Sequence, residues 1–357
     1  MSRYVIDKSK LDENIELIKK KAGVPIIGVV KGNGYGFGIN ELTAVLKEHG
    51  INTFAVTEVT DIPVLNDILD GNDILVMRST CVESEAKVIA KNGAIATIGS
   101  IEAAQIMSDV SGELGVETRC HLKIDTGMGR YGFMPSQIEE AIKCYDLPNL
   151  KFIGAYTHFS SAFRNHDLTK TQLIMFKDTM EQIKKAVGDV GVLHASNSPA
   201  LLNVEDVCLD TVRIGSAFTG RVITKNKSGL NRLGSLEAEV VEVKTVPSGY
   251  AIGYNGLYKT KRETKIAIVP IGHYDGFGIS KEKEIYDFRY VLSVFKRFLK
   301  KQQMYVRIEG RMYHVIGEIG LSHTAVDITG SDVKVGDTAS VDISPLMVNP
   351  RIERVYK

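Results

Sequence analysis

The sequence predicts an α/β protein, with an N-terminal (β/α)8 TIM-like barrel over residues 1–230 and a C-terminal β-rich domain over residues 231–357. Three observations support this. Eight short β-branched runs alternate with charged segments whose apolar residues fall at helical spacing, which is the alternation a parallel barrel requires. Roughly 230 residues hold them, close to the length of such a barrel. Beyond that point alternating strands follow one another across turn residues, the pattern of a mainly antiparallel domain.

The eight runs are PIIGVVK, NTFAVT, DILVMR, AIATIG, TRCHLKID, FIGAYTH, GVLHAS and CLDTVRIGS. Between them lie amphipathic stretches such as Leu42, Val45 and Leu46, and the segment LIMFKDTMEQIKKAV that begins at Leu173. In the second domain LEAEVVEVKTV, TKIAIVPIG, MYVRIEG, MYHVIGEIG and TAVDITG read as strands. One helix interrupts them over 287–301, where Asp287 can cap and Phe288, Val291, Leu292, Phe295, Phe298 and Leu299 share a face.

Composition excludes some function classes. Lys and Arg number 44 against 43 Asp and Glu, so the chain lacks the basic excess of a nucleic-acid binder. The N-terminal stretch lacks the apolar core of a signal peptide, and no run approaches the roughly 20 apolar residues that span a bilayer. A cytoplasmic protein with a small ligand, no nucleic acid and no membrane partner is expected. Cys81, Cys120, Cys144 and Cys208 are scattered without ligand spacing, so neither a disulfide framework nor a metal site is indicated.

In a barrel of this kind the strand C-terminal ends build the active site. That placement gathers Lys31 from the first strand, Lys123, Asp125 and Arg130 at the fifth, and His158 at the sixth. His194, Asn197 and Ser198 follow the seventh, and Arg213, Gly215 and Ser216 finish the eighth. A strand-end lysine can simply reach water, and any one of the others can be structural. Together they suit one chemistry. A desolvated lysine forms a Schiff base with an aldehyde, while backbone N–H groups and a serine hydroxyl hold a phosphate without a metal. Pyridoxal 5′-phosphate (PLP) carries both groups. Its phosphate would lie at the NSPA and RIGSA turns, the imidazole of His158 can pack on a pyridine face, and Arg213 can donate to the ring nitrogen.

These residues resemble the alanine racemase family of fold-type III PLP enzymes. The blocks that carry the resemblance are VVKGNGYGFG, HLKIDTGMGRYGF, YTHFSSA, HASNSPA, VRIGSA, GYNGLY and PIGHYDGF, in order over nearly the whole chain. The resemblance implies an amino-acid racemase, an isomerase interconverting L- and D-alanine by two bases, Lys31 and Tyr254 of the partner subunit, in a homodimer with shared active sites. It implies cofactor contacts at Lys31, Tyr35, His158, Asn197, Ser198, Arg213, Gly215 and Ser216. Arg130 would face the cofactor phenolate or substrate carboxylate, and Lys123 matches a lysine that is carbamylated in many members. Removing a proton from one face of Cα and returning it to the other does require two flanking bases.

The chain departs from the family on the substrate side. His273 stands where a tyrosine is usual, Gly320-Leu321-Ser322 replaces a block close to CMD, and the tail SPLMVNPRIERVYK lacks a clear counterpart to the tyrosine that narrows the substrate pocket. A preference for serine or a larger amino acid is therefore the alternative substrate reading. A fold-type III decarboxylase or aldolase and a non-catalytic PLP-binding protein are the alternative functions. Arg213 disfavours the decarboxylase, and the long second domain with Tyr254 disfavours the non-catalytic protein.

Overall fold

The computed structural model describes residues 2–69, 73–222, 228–256, 258–279, 291–292 and 304–357. They divide into two compact units, residues 9–233 and residues 1–8 with 234–357. The first eight residues, which the sequence assigned to the barrel, belong to the other unit. The reason is pairing: β1 (Arg3–Ile6) runs antiparallel to β10 (Gly234–Glu239) and parallel to β19 (Glu353–Tyr356).

All eight barrel strands form where the β-branched runs predict them. They are β2 (Ile26–Val29), β3 (Thr53–Val56), β4 (Asp73–Val76), β5 (Ala96–Ile98), β6 (Thr118–Lys123), β7 (Leu150–Tyr156), β8 (Val192–His194) and β9 (Val212–Ile214). Two parallel four-stranded sheets, β4-β3-β2-β9 and β5-β6-β7-β8, make most of the wall. Single parallel bridges, Leu75 to Ile95 and His194 to Thr211, close the two seams. Closure leaves no edge strand exposed.

The strands read as continuous apolar runs because both of their faces are covered. Inward, Ile27, Val29, Ala55, Leu75 and Ile95 form one buried cluster. On the other parity Phe54, Ile74 and Val76 are also buried. Each fully buried aliphatic side chain of this kind stabilises the fold by roughly 1.5–3 kcal/mol. Side-chain caps start the helices that return the chain: Ser100 accepts from the Ala103 N–H at 3.2 Å and Asn165 from the Leu168 N–H at 3.0 Å.

The second unit is a nine-stranded sheet in the order β11-β14-β17-β16-β15-β18-β10-β1-β19. Here β11 is Glu242–Val246, β14 is Thr264–Val269, β15 is Tyr305–Ile308, β16 is Arg311–Val315, β17 is Thr324–Asp327 and β18 is Thr338–Val341. A separate two-stranded ribbon pairs β12 (Ala251–Ile252) with β13 (Tyr258–Lys259). The run LEAEVVEVKTV is two strands, broken at Val240 and Val241. The helix expected over 287–301 falls outside the described residues except for Val291 and Leu292, which are helical and exposed. Among the described residues no helix is long and apolar enough to cross a membrane.

Candidate active site

Strand β2 ends at Val29, and Lys31 opens a left-handed turn instead of continuing the strand. Gly32, Asn33, Gly34 and Tyr35 all have φ between 53° and 62°. Two glycines adopt that conformation without a steric penalty, and Asn tolerates it. Tyr35 is the costly one, at about 1–2 kcal/mol. Its compensation lies just past the end of β9. A Cβ at Gly215 would fall inside the contact envelope of the Tyr35 ring, so the ring rests where only glycine leaves room. Burial there pushes the Tyr35 hydroxyl up to about 12.

Lys31 and Tyr35 line a cavity of about 500 Å³ at the strand C-terminal ends. Around it stand Lys123, Arg130 and His158, then Asn197, Ser198, Arg213, Gly215 and Ser216 from the last two crossings. Of the residues that the sequence placed at the strand ends, Asp125 and His194 do not line this cavity and the others do. The Ser198 hydroxyl oxygen accepts from the N–H groups of Gly215 and Ala217 at 3.2 Å each, which ties the two phosphate-type turns together. Asn197 Oδ1 caps the following helix by accepting from the Ala200 N–H at 3.0 Å.

Strand register orders a row of side chains at and beneath the cavity. Lys123 is paired with Tyr156, and Tyr156 with His194, so these three side chains lie in one row across β6, β7 and β8. The Tyr156 ring stacks on His194 at 4.8 Å between centroids, and the Arg213 guanidinium and Lys123 amine sit 4.8 and 5.0 Å from it. Arg213 is 2% exposed. It donates through Nη2 to Thr157 O at 2.7 Å and Ala195 O at 3.0 Å, and through Nη1 to His194 Nδ1 at 2.7 Å. His158 Nδ1 lies 3.4 Å from Nη2. With five N–H donors on a guanidinium, Nε and the second Nη1 hydrogen remain for the cavity.

Electrostatics follow from this crowding of cations. Burial first, then the Arg130 charge, lowers the Lys31 amine below the ordinary lysine range. Burial and Arg213 bring Lys123 down to about 7. Burial, with Arg213 the largest of four neighbouring cations, holds His158 well below 6.5 and therefore neutral. Arg130 is presented by a short loop that Asp125 organises. Its carboxylate accepts from the N–H groups of Gly127, Met128 and Arg130 at 2.9, 2.7 and 3.0 Å. Burial alone would raise the Asp125 carboxyl, but these bonds lower it below the usual carboxylate value.

Three expected site residues belong to the other unit. Tyr254 opens the turn between β12 and β13 and is 64% exposed. His273 and Leu321 lie on two loops joined by backbone bonds, His273 N–H to Gly320 O at 3.0 Å and Tyr274 N–H to Leu321 O at 2.8 Å. Leu321 is 66% exposed. Tyr156 and His121 escaped the sequence reading, although both stand two residues from a chosen neighbour, His158 and Lys123. A period of two along a strand would have pointed to the same inward face.

Comparison with known proteins agrees with this architecture. The family model described as alanine racemase, N-terminal domain, matches residues 6–222, and that described as alanine racemase, C-terminal domain, matches residues 233–345. An alanine racemase of Methanococcus maripaludis is 31% identical over 347 residues, covering 94% of this chain and 87% of its own. One from Clostridium perfringens is 29% identical over 344 residues, covering 93% and 83%. Among solved structures, the alanine racemase of Clostridium difficile 630 superposes with a TM-score of 0.88 at 26% identity, over 100% of this chain and 95% of that one. With two family models matched in sequence over both units, the chain belongs to the alanine racemase family.

Proposed function

We propose that this protein is a PLP-dependent racemase that interconverts L- and D-alanine. The observation that carries the reading is the convergence of Lys31, Arg130, His158 and Arg213 with the Ser198 and Gly215 turns on one cavity, in a chain of the alanine racemase family. The donor set fits the cofactor. Five basic side chains, Lys31, Arg78, Lys123, Arg130 and Arg213, line a volume of about 500 Å³, which suits a ligand carrying a phosphate together with a substrate carboxylate. The bare backbone at Gly215 admits the Tyr35 ring, which lines the same cavity.

Lys31 would hold the cofactor, Ser198, Gly215, Ser216, Asn197 and Tyr35 would surround its phosphate, His158 would pack on its ring and Arg213 would meet the ring nitrogen. Bound there, PLP supplies an aldehyde for the substrate amine and a conjugated ring that receives the electron pair left by the Cα proton. The remaining work belongs to the chain. Arg130, held by its Asp125-anchored loop, orients the substrate carboxylate. Lys31, with its amine lowered by burial and Arg130, exchanges the proton on one face of Cα. Tyr254 of the partner subunit would serve the opposite face, a role supported by its exposure on a ribbon turn. Arg213 stays protonated, even though burial lowers it to about 10, and so keeps the ring nitrogen from gaining a proton. That favours reprotonation over decarboxylation and transamination. Lys123, neutral in part at pH 7, is suited to take up carbon dioxide as a carbamate, giving Arg130 and Arg213 an anion to face.

The exposed His273 and Leu321 loops support a second substrate reading, in which serine or a larger amino acid also turns over. Incubating the purified holoenzyme with single L-amino acids in deuterated water tests both readings. Deuterium at Cα together with the D-enantiomer of alanine is expected. Carbon dioxide release, or no exchange with any amino acid, would reject the racemase.

A further inference from the structure

We propose that His121 is a positioning residue which, acting through His194, holds the Arg213 guanidinium in the orientation from which it meets the cofactor ring. The inference rests on the cofactor reading above. Neither histidine forms part of the cavity wall, and both are buried, at 3% and 0% exposure.

A guanidinium carries donors only, so at 2.7 Å from Arg213 Nη1 the Nδ1 atom of His194 must accept. A neutral imidazole has one proton, which is then on His194 Nε2. That atom lies 2.8 Å from His121 Nδ1, which must accept in turn and carry its own proton on Nε2. The donor order is therefore single-valued, from Arg213 to His194 to His121. Burial and the Arg213 charge keep both rings neutral, with His121 brought down to about 4.

The backbone makes room for this ring. Pairing between β6 and β7 slips by one residue between Cys120 and His121, and the residue then opposite is Gly154. A Cβ on Gly154 would come within 2.8 Å of His121 Nε2. A register irregularity and a glycine at one position are the means by which a strand re-aims a side chain. Here they admit an imidazole into the barrel interior.

Removing the His121 acceptor would leave the His194 Nε2–H buried without a partner. His194 can relieve that by changing tautomer or rotating, and both moves take its Nδ1 acceptor from Arg213. The two remaining bonds of Arg213, to Thr157 O and Ala195 O, both leave from Nη2, so the guanidinium can pivot about that atom.

The test compares the parent with His121→Leu, which fills the space without an acceptor, and His121→Asn, whose Oδ1 replaces the Nδ1 acceptor. Each is reconstituted with PLP, and its Kd, absorption spectrum, alanine kcat and KM, and pyruvate formed per racemisation are measured. His121→Leu should weaken cofactor binding and kcat by about 10-fold or more, shift the cofactor band and raise the pyruvate ratio, with KM little changed. His121→Asn should return all of these to within about 2-fold of the parent. A Leu variant with an unchanged Kd and spectrum, or an Asn variant no better than Leu, overturns the proposal. Should the Leu variant fail to fold, 15N NMR of the parent apoprotein decides: a His194 protonated at Nε2 supports the chain, and one protonated at Nδ1 overturns it. A parent that binds no PLP would refute the cofactor reading itself, a result distinct from either of these.

Discussion

The barrel mouth and the turns of the β-rich unit hold their site residues in opposite ways. At the mouth, Lys123, Tyr156 and His194 are aligned by strand register, and Arg213 is fixed by three acceptors at 2.7–3.0 Å. On the β-rich unit, Tyr254 and Leu321 project from turns with 64% and 66% of their surface open. Interlocked buried groups transmit any change to their neighbours, whereas exposed turn residues can be altered alone. On the proposed function, the contrast separates the task of gripping a cofactor from those of completing and selecting the substrate site.

The sharpest test of that contrast joins one residue from each region. Lys31→Ala should lower racemisation by more than about 1000-fold and abolish the yellow colour that borohydride bleaches in the parent. Tyr254→Phe should also be nearly inactive while staying yellow, since its residue lies on the other unit. On the proposed dimer with shared sites, about half of the dimers formed by mixing and refolding the two variants at equal amounts would be mixed, with one site lacking both bases and the other having both. About a quarter of parental activity should return, the statistical share for a C2 dimer with shared sites. No recovery would place both bases on one chain, and a borohydride label on another lysine would remove Lys31 from its role.

Legibility in the sequence follows the same division. Barrel strands such as DILVMR and FIGAYTH were readable because β-branched runs bounded by turn residues have few other uses, and their C-terminal ends marked the cavity. The four-residue β1 was misassigned because its partners, Glu237 and Glu353 opposite Arg3, lie more than 200 residues away and leave no local trace. The left-handed conformation of Tyr35 is also non-local. Its neighbouring glycines suggest a tight turn, but the side chain's place depends on Gly215. His121 was missed because a buried histidine beside apolar residues reads as core until the Gly154 space and the His194 contact are seen together.

A smaller effect separates the buried cations from ordinary lysines. Folded Lys123 loses its proton near pH 7, whereas an unfolded lysine keeps its own until about 10.4. Between those values the unfolded chain binds more protons, so this residue makes stability rise with pH there. Below pH 7 both states are protonated and the contribution is flat at its minimum. Urea midpoints measured from pH 7 to 9.5 in carbon dioxide-free buffer should climb more steeply for the parent than for Lys123→Met. The difference has a ceiling of about 1.4 kcal/mol per pH unit. Parallel curves would mean that Lys123 titrates as an exposed amine. Adding bicarbonate should raise only the parent, by loading the carbamate.

The mildest expected change tests the adjustable side of the comparison. Leu321 and His273 sit on loops joined through backbone bonds, so truncating Leu321 removes surface without removing a tie, while truncating His273 gives up only the bond of its Nδ1 to Phe277 O at 2.9 Å and leaves the loops joined. Leu321→Ala and His273→Ala should therefore move the ratio of kcat/KM for alanine over serine by about 1–3 kcal/mol at most, the range available to a contact of methylene scale. The cofactor Kd and absorption band should stay at parental values, because the groups that would hold PLP are bonded among themselves within the barrel. Arg213→Lys supplies the opposite pattern. It keeps the charge but loses the fork that reaches Thr157, Ala195 and His194, so both cofactor affinity and turnover should fall while the substrate ratio holds. A Leu321 variant that loses cofactor, or an Arg213 variant that changes only substrate preference, would show that the two regions are coupled and that selectivity is set inside the barrel.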